Sequence, residues 1–374
     1  MKFNLLNDSD FFNTKITNYL VRLVGLKKIT KKFWYRWLAH GADYGDIVTV
    51  MSKVKTFEQW LDEWTALAIK YEESAKETVG LSAQNFYLKA SVYYYLAQWA
   101  VFDVTKQKKE AYIKSKECFL KANKTLQVPV REVFFDYNGQ KCPGYLRIPG
   151  NKEKTPCVIF VHGMDSAKEE VYWTEKEAVE RGVASFYFDG PGQGELYIMN
   201  EVLWKEDFDD VITKAIDYVS SIPEIDNDNI FICGMSWGGY WALKMASKDK
   251  RIKACCSLGG PPSSKHFSTL PIPIQMRFRK LFNKENESVN SEYAQSIFNK
   301  MNLDDDIQNI KCPTLIIHGK KDPLVPYALV EEMVDKLTCD KTFKVYEDGD
   351  HCCTQYASEV RNLAADWMVK KLIV

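Results

Sequence analysis

From Cys157 to the C-terminus, short apolar runs alternate with amphipathic stretches, and this alternation most tightly constrains what the chain can fold into. The runs are Cys157–Val161, Ala184–Phe188, Ile230–Cys233, Ala254–Leu258, Thr314–Ile317 and Phe343–Tyr346. Between them lie helical stretches at roughly 168–181, 203–221, 237–247, 327–337 and 354–371. A run with no polar face must be covered on both sides, and helices joining parallel strands supply that cover. The expected fold class is therefore α/β, with a mostly parallel, doubly wound sheet. Just upstream, Val130–Asp136 and Gly144–Ile148 read as two strands joined at Asn138-Gly139, a hairpin turn signal. Residues 261–309 break the rhythm, Pro-rich and then charged, and are expected to form a lid insertion over the sheet's top edge.

Residues 1–128 have a different texture. Apolar and aromatic residues recur there at helical spacing, as in Phe57, Trp60, Leu61, Trp64, Leu67 and Ala68, with Thr56 placed to cap the start. Further helices are expected over residues 82–103 and 107–122. The chain thus divides into a helical N-terminal domain, 1–128, and an α/β domain, 129–374, which the resemblance described below implies are a cap domain and a catalytic domain. Most of the aromatic load of the first part (Trp34, Trp37, Trp60, Trp64, Tyr93–Tyr95, Trp99) is explained as core packing, with a minority free to line a pocket for a flat, apolar ligand.

Composition excludes several classes. The 374 residues balance 50 Lys+Arg against 50 Asp+Glu, which removes the bulk electrostatic argument for nucleic acid or an anionic membrane. At 46% hydrophobic residues, global disorder is excluded. Met1–Asp10 carries one Lys, two acids and no apolar run, unlike a secretory signal, and no stretch approaches ~18 apolar residues. Ten cysteines occur without a Cys-x-x-Cys pair, so a zinc knuckle is not expected. Several lie in strand-like runs, where a free thiol acts as a small hydrophobe. A reducing, cytoplasmic setting without disulfides, metal or organic cofactor is the expectation.

The chemistry concentrates at Gly234-Met235-Ser236-Trp237-Gly238-Gly239, which follows the run Asn229–Cys233 and opens a helix. A strand–turn–helix of this kind exposes a serine hydroxyl at the end of the sheet. A serine nucleophile needs a base, and the base an orienting acid. Asp322 sits just past the run Thr314–Ile317, and His351 past Phe343–Tyr346, in the chain order serine, acid, histidine. The loop after Cys157–Val161 is His162-Gly163-Met164-Asp165. The backbone N–H groups of Met164 and Trp237 are the expected oxyanion donors. His162 is expected to brace that loop, His318 to be structural, and His40 and His266 to lie outside the sheet core. Asp165, Lys168, Glu169 and Glu170 are explained by a helix N-terminus. Gly190-Pro191-Gly192-Gln193-Gly194 matches neither a phosphate loop nor a dinucleotide fingerprint and reads as a tight loop at the rim. Cys352 adjoins His351 but sits on no such elbow.

With these residues in view, 130–374 resembles the α/β-hydrolase superfamily. Three segments narrow the resemblance: His162–Glu170, Phe188-Asp189-Gly190-Pro191-Gly192-Gln193-Gly194-Glu195, and Gly349-Asp350-His351-Cys352-Cys353. They resemble a branch that includes 2,6-dihydroxypseudooxynicotine hydrolase, the fermentation-respiration switch protein and fungal hydrolases that shorten polyketide chains. Phe33-Trp34-Tyr35-Arg36-Trp37 and Gly41-Ala42-Asp43-Tyr44-Gly45-Asp46 resemble that branch's helical cap. The resemblance implies a triad hydrolase on Ser236, Asp322 and His351, with the helical domain over the pocket, and homodimers in some relatives. It also implies cleavage of a ketone-adjacent C–C bond or an ester in an aromatic or polyketide-like small molecule. Rival expectations are a carboxylesterase or thioesterase, an acyltransferase, and a regulatory binding protein on a hydrolase fold.

Overall fold

Eight strands form one sheet in the order β1-β2-β4-β3-β5-β6-β7-β8 in the computed structural model, which describes residues 25–101, 103–150, 153–205, 207–264, 270, 272–282, 296 and 299–372. The strands are β1 (Arg131–Tyr137), β2 (Gln140–Arg147), β3 (Thr155–Val161), β4 (Ala184–Phe188), β5 (Ile225–Met235), β6 (Ile252–Leu258), β7 (Thr314–Gly319) and β8 (Lys341–Tyr346). β1 and β2 pair antiparallel, and β2 meets β4 antiparallel. Every pairing from β4 to β8 is parallel. The β1–β2 turn has Asn138 at φ 50 and Gly139 at φ 76, the paired positive values that match a hairpin's twist. The six apolar runs of the sequence all fall inside parallel strands, and β3 and β4 are buried along their whole length.

The helices cover both faces because they are striped. In Phe208–Ser220 the buried residues are Phe208, Val211, Ile212, Ala215, Ile216 and Val219, one face at helical spacing. The sequence predicts that helix from 203. The structure starts it at Phe208; the residues before it are held outside a helix, Val202 O accepting from Gly192 N–H at 2.8 Å, and they follow a short helix, Gly194–Asn200, that ends at Glu201 in the left-handed conformation (φ 56). The last helix likewise starts at Ala357 rather than 354, since Cys352 and Cys353 adopt positive φ in the turn before it. Within the 261–309 stretch, the described helix Ile272–Phe282 buries Phe278 and Leu281 in the core of the sheet domain. Leu281 O accepts from Trp204 N–H at 2.7 Å.

The described residues fall into two compact units that divide after Pro129. The N-terminal unit is helical, with longer helices at Tyr44–Lys53, Phe57–Lys76, Gly80–Trp99 and Lys106–Asn123. Thr56 caps Phe57–Lys76 by accepting from Gln59 N–H at 3.4 Å, and Thr105 caps Lys106–Asn123 by accepting from Lys108 N–H at 3.1 Å. The sequence carries the third helix on to 103, whereas the structure ends it at Trp99. There the buried Lys108 ammonium donates to Gln98 O (3.1 Å) and Val101 O (2.7 Å), satisfying terminal carbonyls that a longer helix would use itself. No described helix is long and apolar enough to cross a membrane.

Indoles hold this unit together. Trp37 meets Trp60, Trp64 and Trp99 with ring centroids 5.5, 5.9 and 5.8 Å apart, all edge-to-face. Trp60 is fully buried, and its Nε1–H donates to Leu96 O at 2.8 Å. Trp60→Ala is expected to cost about 3–5 kcal/mol, from lost contacts plus a cavity. Urea unfolding monitored by circular dichroism checks this, and a loss below about 1 kcal/mol would show that the cluster does not carry the unit.

Candidate active site

Parallel pairing places the loops after β3, β5, β7 and β8 at one edge of the sheet, the carboxyl end, where open α/β sheets bind ligands. Ser236 follows β5 directly and has φ 55 and ψ −125, a conformation that non-glycine residues rarely adopt. Ser236 N–H donates to Leu258 O at 2.8 Å, which ties the turn to the end of β6. The turn can be this tight because position 238 has no side chain: a Cβ on Gly238 would lie 1.8 Å from Val161 O. Trp237 then starts the helix Trp237–Lys248, so its N–H is among the donors that have no intrahelical acceptor.

Three of the residues nominated by the sequence meet in one hydrogen-bonded chain. His351 Nε2 lies 2.9 Å from Ser236 Oγ, and His351 Nδ1 lies 2.8 Å from Asp322 Oδ2. The other carboxylate oxygen, Asp322 Oδ1, accepts from Leu324 N–H (2.8 Å) and Val325 N–H (2.9 Å), so the acid is fixed from two sides. Burial alone would raise the Asp322 carboxyl. The His351 charge and its hydrogen bond outweigh that and hold the group below the usual carboxylate value. Burial would lower His351, but the Asp322 carboxylate beside it lifts the imidazole well above its ordinary value.

Met164 is buried in the loop after β3. That loop passes against the serine, since a Cβ on Gly163 would sit 3.4 Å from Ser236 Cβ. Trp237, Pro261, Leu270, Ile274, Phe278 and Leu324 make a largely apolar pocket beside Ser236 and His351. Phe278 packs edge-on to Trp237, ring centroids 6.1 Å apart.

The other described histidines do not join this hydrogen-bonded chain. His318 is buried at the end of β7, and its Nε2–H donates to Val325 O at 3.0 Å. Burial lowers its proton affinity. His40 is buried in the N-terminal unit. His266 lies outside the described residues. The cysteines of the described residues are free, and Cys352 Sγ donates to Leu258 O at 3.3 Å. No group of three or more His, Cys, Asp or Glu among the described residues could hold a metal ion.

The sequence reading of Lys168 and Glu169 as helix-terminus charges is incomplete. Both are buried, and Lys168 Nζ lies within 2.6–3.2 Å of Glu195, Glu169 and Asp189. Asp189, at the centre of this contact, lies outside the candidate residues named from the sequence and opens the Asp-Gly-Pro-Gly-Gln-Gly-Glu segment. The available signal is an acid directly after a short aromatic-rich strand, Ala184–Phe188. Gly190–Gly194 is not only a loop: Gly194 begins the helix Gly194–Asn200.

The linkage between His351 and Asp322 has a sign. A raised folded-state imidazole stabilises the protein fully below about pH 6.5, the unfolded value, and that contribution is lost as pH climbs through the folded value. The stability advantage of the wild type over Asp322→Asn is therefore expected to shrink as pH rises above about 6.5. Urea midpoints at several pH values check this, and an advantage that grows with pH would contradict the pairing.

Comparison with known proteins identifies relatives of the chain. A family profile described as Esterase FrsA-like matches residues 43–271, and one described as BAAT / Acyl-CoA thioester hydrolase C terminal matches 211–352. The chain is 32% identical over 345 residues to 2,6-dihydropseudooxynicotine hydrolase of Paenarthrobacter nicotinovorans, covering 91% of this chain and 92% of that one. It is 31% identical over 271 residues to the 20-hydroxy-prefusarin hydrolase FUS2 of Gibberella moniliformis, covering 68% of this chain and 61% of that one. The crystal structure of 2,6-dihydroxy-pseudo-oxynicotine hydrolase superposes with a TM-score of 0.81 at 29% identity, covering 91% of this chain and 96% of that one.

Proposed function

Because the chain belongs to the FrsA-like esterase family and is a hydrolase of the α/β-hydrolase type, we propose that it cleaves an acyl substrate through a Ser236–His351–Asp322 triad. The observation that carries this reading is the unbroken hydrogen-bonded chain from Asp322 through His351 to Ser236. Ser236 Oγ attacks the carbonyl carbon while His351 Nε2 takes the hydroxyl proton. Asp322 keeps Nδ1–H pointed at itself and stabilises the imidazolium that forms. The backbone N–H groups of Met164 and Trp237 receive the oxyanion. His351 then protonates the departing atom, an alkoxide oxygen for an ester or an enolate carbon for a ketone-adjacent C–C bond. Water, activated by the same imidazole, releases the acyl group from Ser236.

The apolar pocket beside Ser236 supports an aromatic or polyketide-like acyl compound, in keeping with the family resemblance to C–C-cleaving hydrolases. A thioester is the second reading, favoured by the match of 211–352 to the thioester hydrolase profile. Paired panels of β-diketones, esters and thioesters of like shape distinguish the readings by relative kcat/KM.

A fluorophosphonate is expected to label Ser236, located by peptide mass spectrometry, and Ser236→Ala is expected to stay unlabelled. An adduct on another residue, or none in folded wild type, would sink the triad. Asp322→Asn is expected to lower kcat about 10⁴-fold, since the imidazole loses its oriented tautomer. His351 can act as a base only when neutral, and its proton is held more tightly than usual. The rate of phosphonylation is therefore expected to rise with pH, with its midpoint above about 6.5. A midpoint at or below that value would contradict the His351–Asp322 coupling.

A further inference from the structure

Beneath the loop after β3 lies a buried ionic cluster that the proposed chemistry does not use. At its centre is Asp189, fully buried just past β4. Its Oδ1 accepts from Lys168 N–H at 2.8 Å and its Oδ2 from Glu195 N–H at 2.8 Å. The Lys168 ammonium lies 3.2 Å from Oδ2, and His162 Nε2 lies 3.0 Å from Oδ1. The approach is close enough to require glycine at position 194, where a Cβ would fall 2.3 Å from the carboxylate. The second ring nitrogen, His162 Nδ1, lies 3.0 Å from Gly163 O.

Both partners of the His162 ring are acceptors. Gly163 O is a backbone carbonyl. Two N–H groups and an ammonium converge on Asp189 and favour its ionised form independently of the ring. A neutral imidazole carries one N–H, so one of its nitrogens would face an oxygen lone pair with no proton between them. Rotating the ring by half a turn would put carbon against both oxygens. Only a ring with a proton on each nitrogen satisfies both contacts, and an unmet buried polar contact is costly.

We propose that His162 is a fixed imidazolium in the resting protein, and that its charge acts through the Gly163–Met164 peptide to strengthen the Met164 N–H as an oxyanion donor. Gly163 O and Met164 N–H are the two ends of one peptide group. The oxygen end accepts from His162 Nδ1–H, from Gln193 Nε2–H at 3.2 Å and from Ser166 N–H at 3.3 Å. Donors at the carbonyl polarise the amide and make its N–H a better donor, by roughly 10–30% per bond. His162 is thus a positioning residue, and the proposal rests on the triad reading above.

The charged groups around the ring favour the cation. Asp189 comes from the end of β4, Glu195 from the helix Gly194–Asn200, and Lys168, Glu169 and Glu170 from the helix Lys168–Glu180. Among the described residues named here, four carboxyl groups stand against one other cation, Lys168. Burial alone would strip the ring of its proton, but the contact with Asp189 raises its proton affinity above that of a free imidazole.

Neutron diffraction from wild-type crystals at about pD 8, where a free imidazole is neutral, reads the ring directly. Deuterons on both Nδ1 and Nε2 of His162 are expected, and one bare nitrogen would overturn the proposal. The second readout is the rate of Ser236 phosphonylation in His162→Gln, which keeps a neutral side chain near the loop. About a tenfold slower reaction with unchanged reversible binding of the fluorophosphonate is expected. A folded His162→Gln that reacts at the wild-type rate would overturn the coupling to Met164. Wild type that never labels at Ser236 would fail the triad reading instead, and it is scored before any variant is made. If His162→Gln does not fold, the wild-type neutron result alone decides the charge.

Discussion

Parallel hydrogen bonding across β3, β5, β6, β7 and β8 is the constraint on which the rest depends. It gives these strands one direction, so the residues just past their ends share one edge of the sheet. Ser236 and His351, 115 residues apart, meet there, as do His351 and Asp322, 29 apart. None of these contacts is local in sequence. Each follows from a strand register that also buries β3 and β4 completely. The apolar content that fixes the sheet therefore also fixes the geometry of the polar chain.

Two histidines beside one acid show how environment divides their roles. His318 Nε2 is 4.0 Å from Asp322 Oδ2, yet burial keeps that ring's proton affinity low. Its Nε2–H serves Val325 O, and its Nδ1 has no partner among the described residues, so a second proton there would be stranded. His351 Nδ1 is 2.8 Å from the same carboxylate, and its side chain keeps 23% of its surface exposed. The nearer ring binds its proton tightly and the farther one does not. Distance to a single carboxylate, set by adjacent strand ends, accompanies opposite shifts in the proton affinity of the two rings.

Much of this was legible in the sequence because the signals are local. The strand–Gly-x-Ser-x-Gly–helix segment needs only neighbouring residues, and the apolar runs report burial without reference to partners. Asn138-Gly139 announces its turn because few other residues tolerate positive φ twice in succession. What stayed hidden depends on distant partners. Lys168 and Glu169 look like ordinary first-turn charges until Asp189, Glu195 and Tyr145 close around them, with Tyr145 OH donating to Glu169 at 2.9 Å. The end of the helix Gly80–Trp99 carries no local mark, because the lysine that caps it, Lys108, lies on the next helix. The left-handed pair Cys352 and Cys353 carries no glycine or asparagine to mark it.

The indole cluster gives the helical unit an optical character of its own. Trp37, Trp60, Trp64 and Trp99 are four of the chain's ten tryptophans, and they stand within 5.5–6.4 Å of one another wherever they pair. At such separations the transition dipoles of neighbouring indoles couple. Excitation is then shared among the rings rather than held by one of them. Fixed, non-parallel rings of this kind produce paired ultraviolet circular dichroism bands of opposite sign and rapid loss of emission polarisation. The paired bands vanish once the rings can turn independently, so they report packing of these indoles, to which the Trp204–Trp241 pair of the sheet domain, 6.3 Å apart, adds a smaller term.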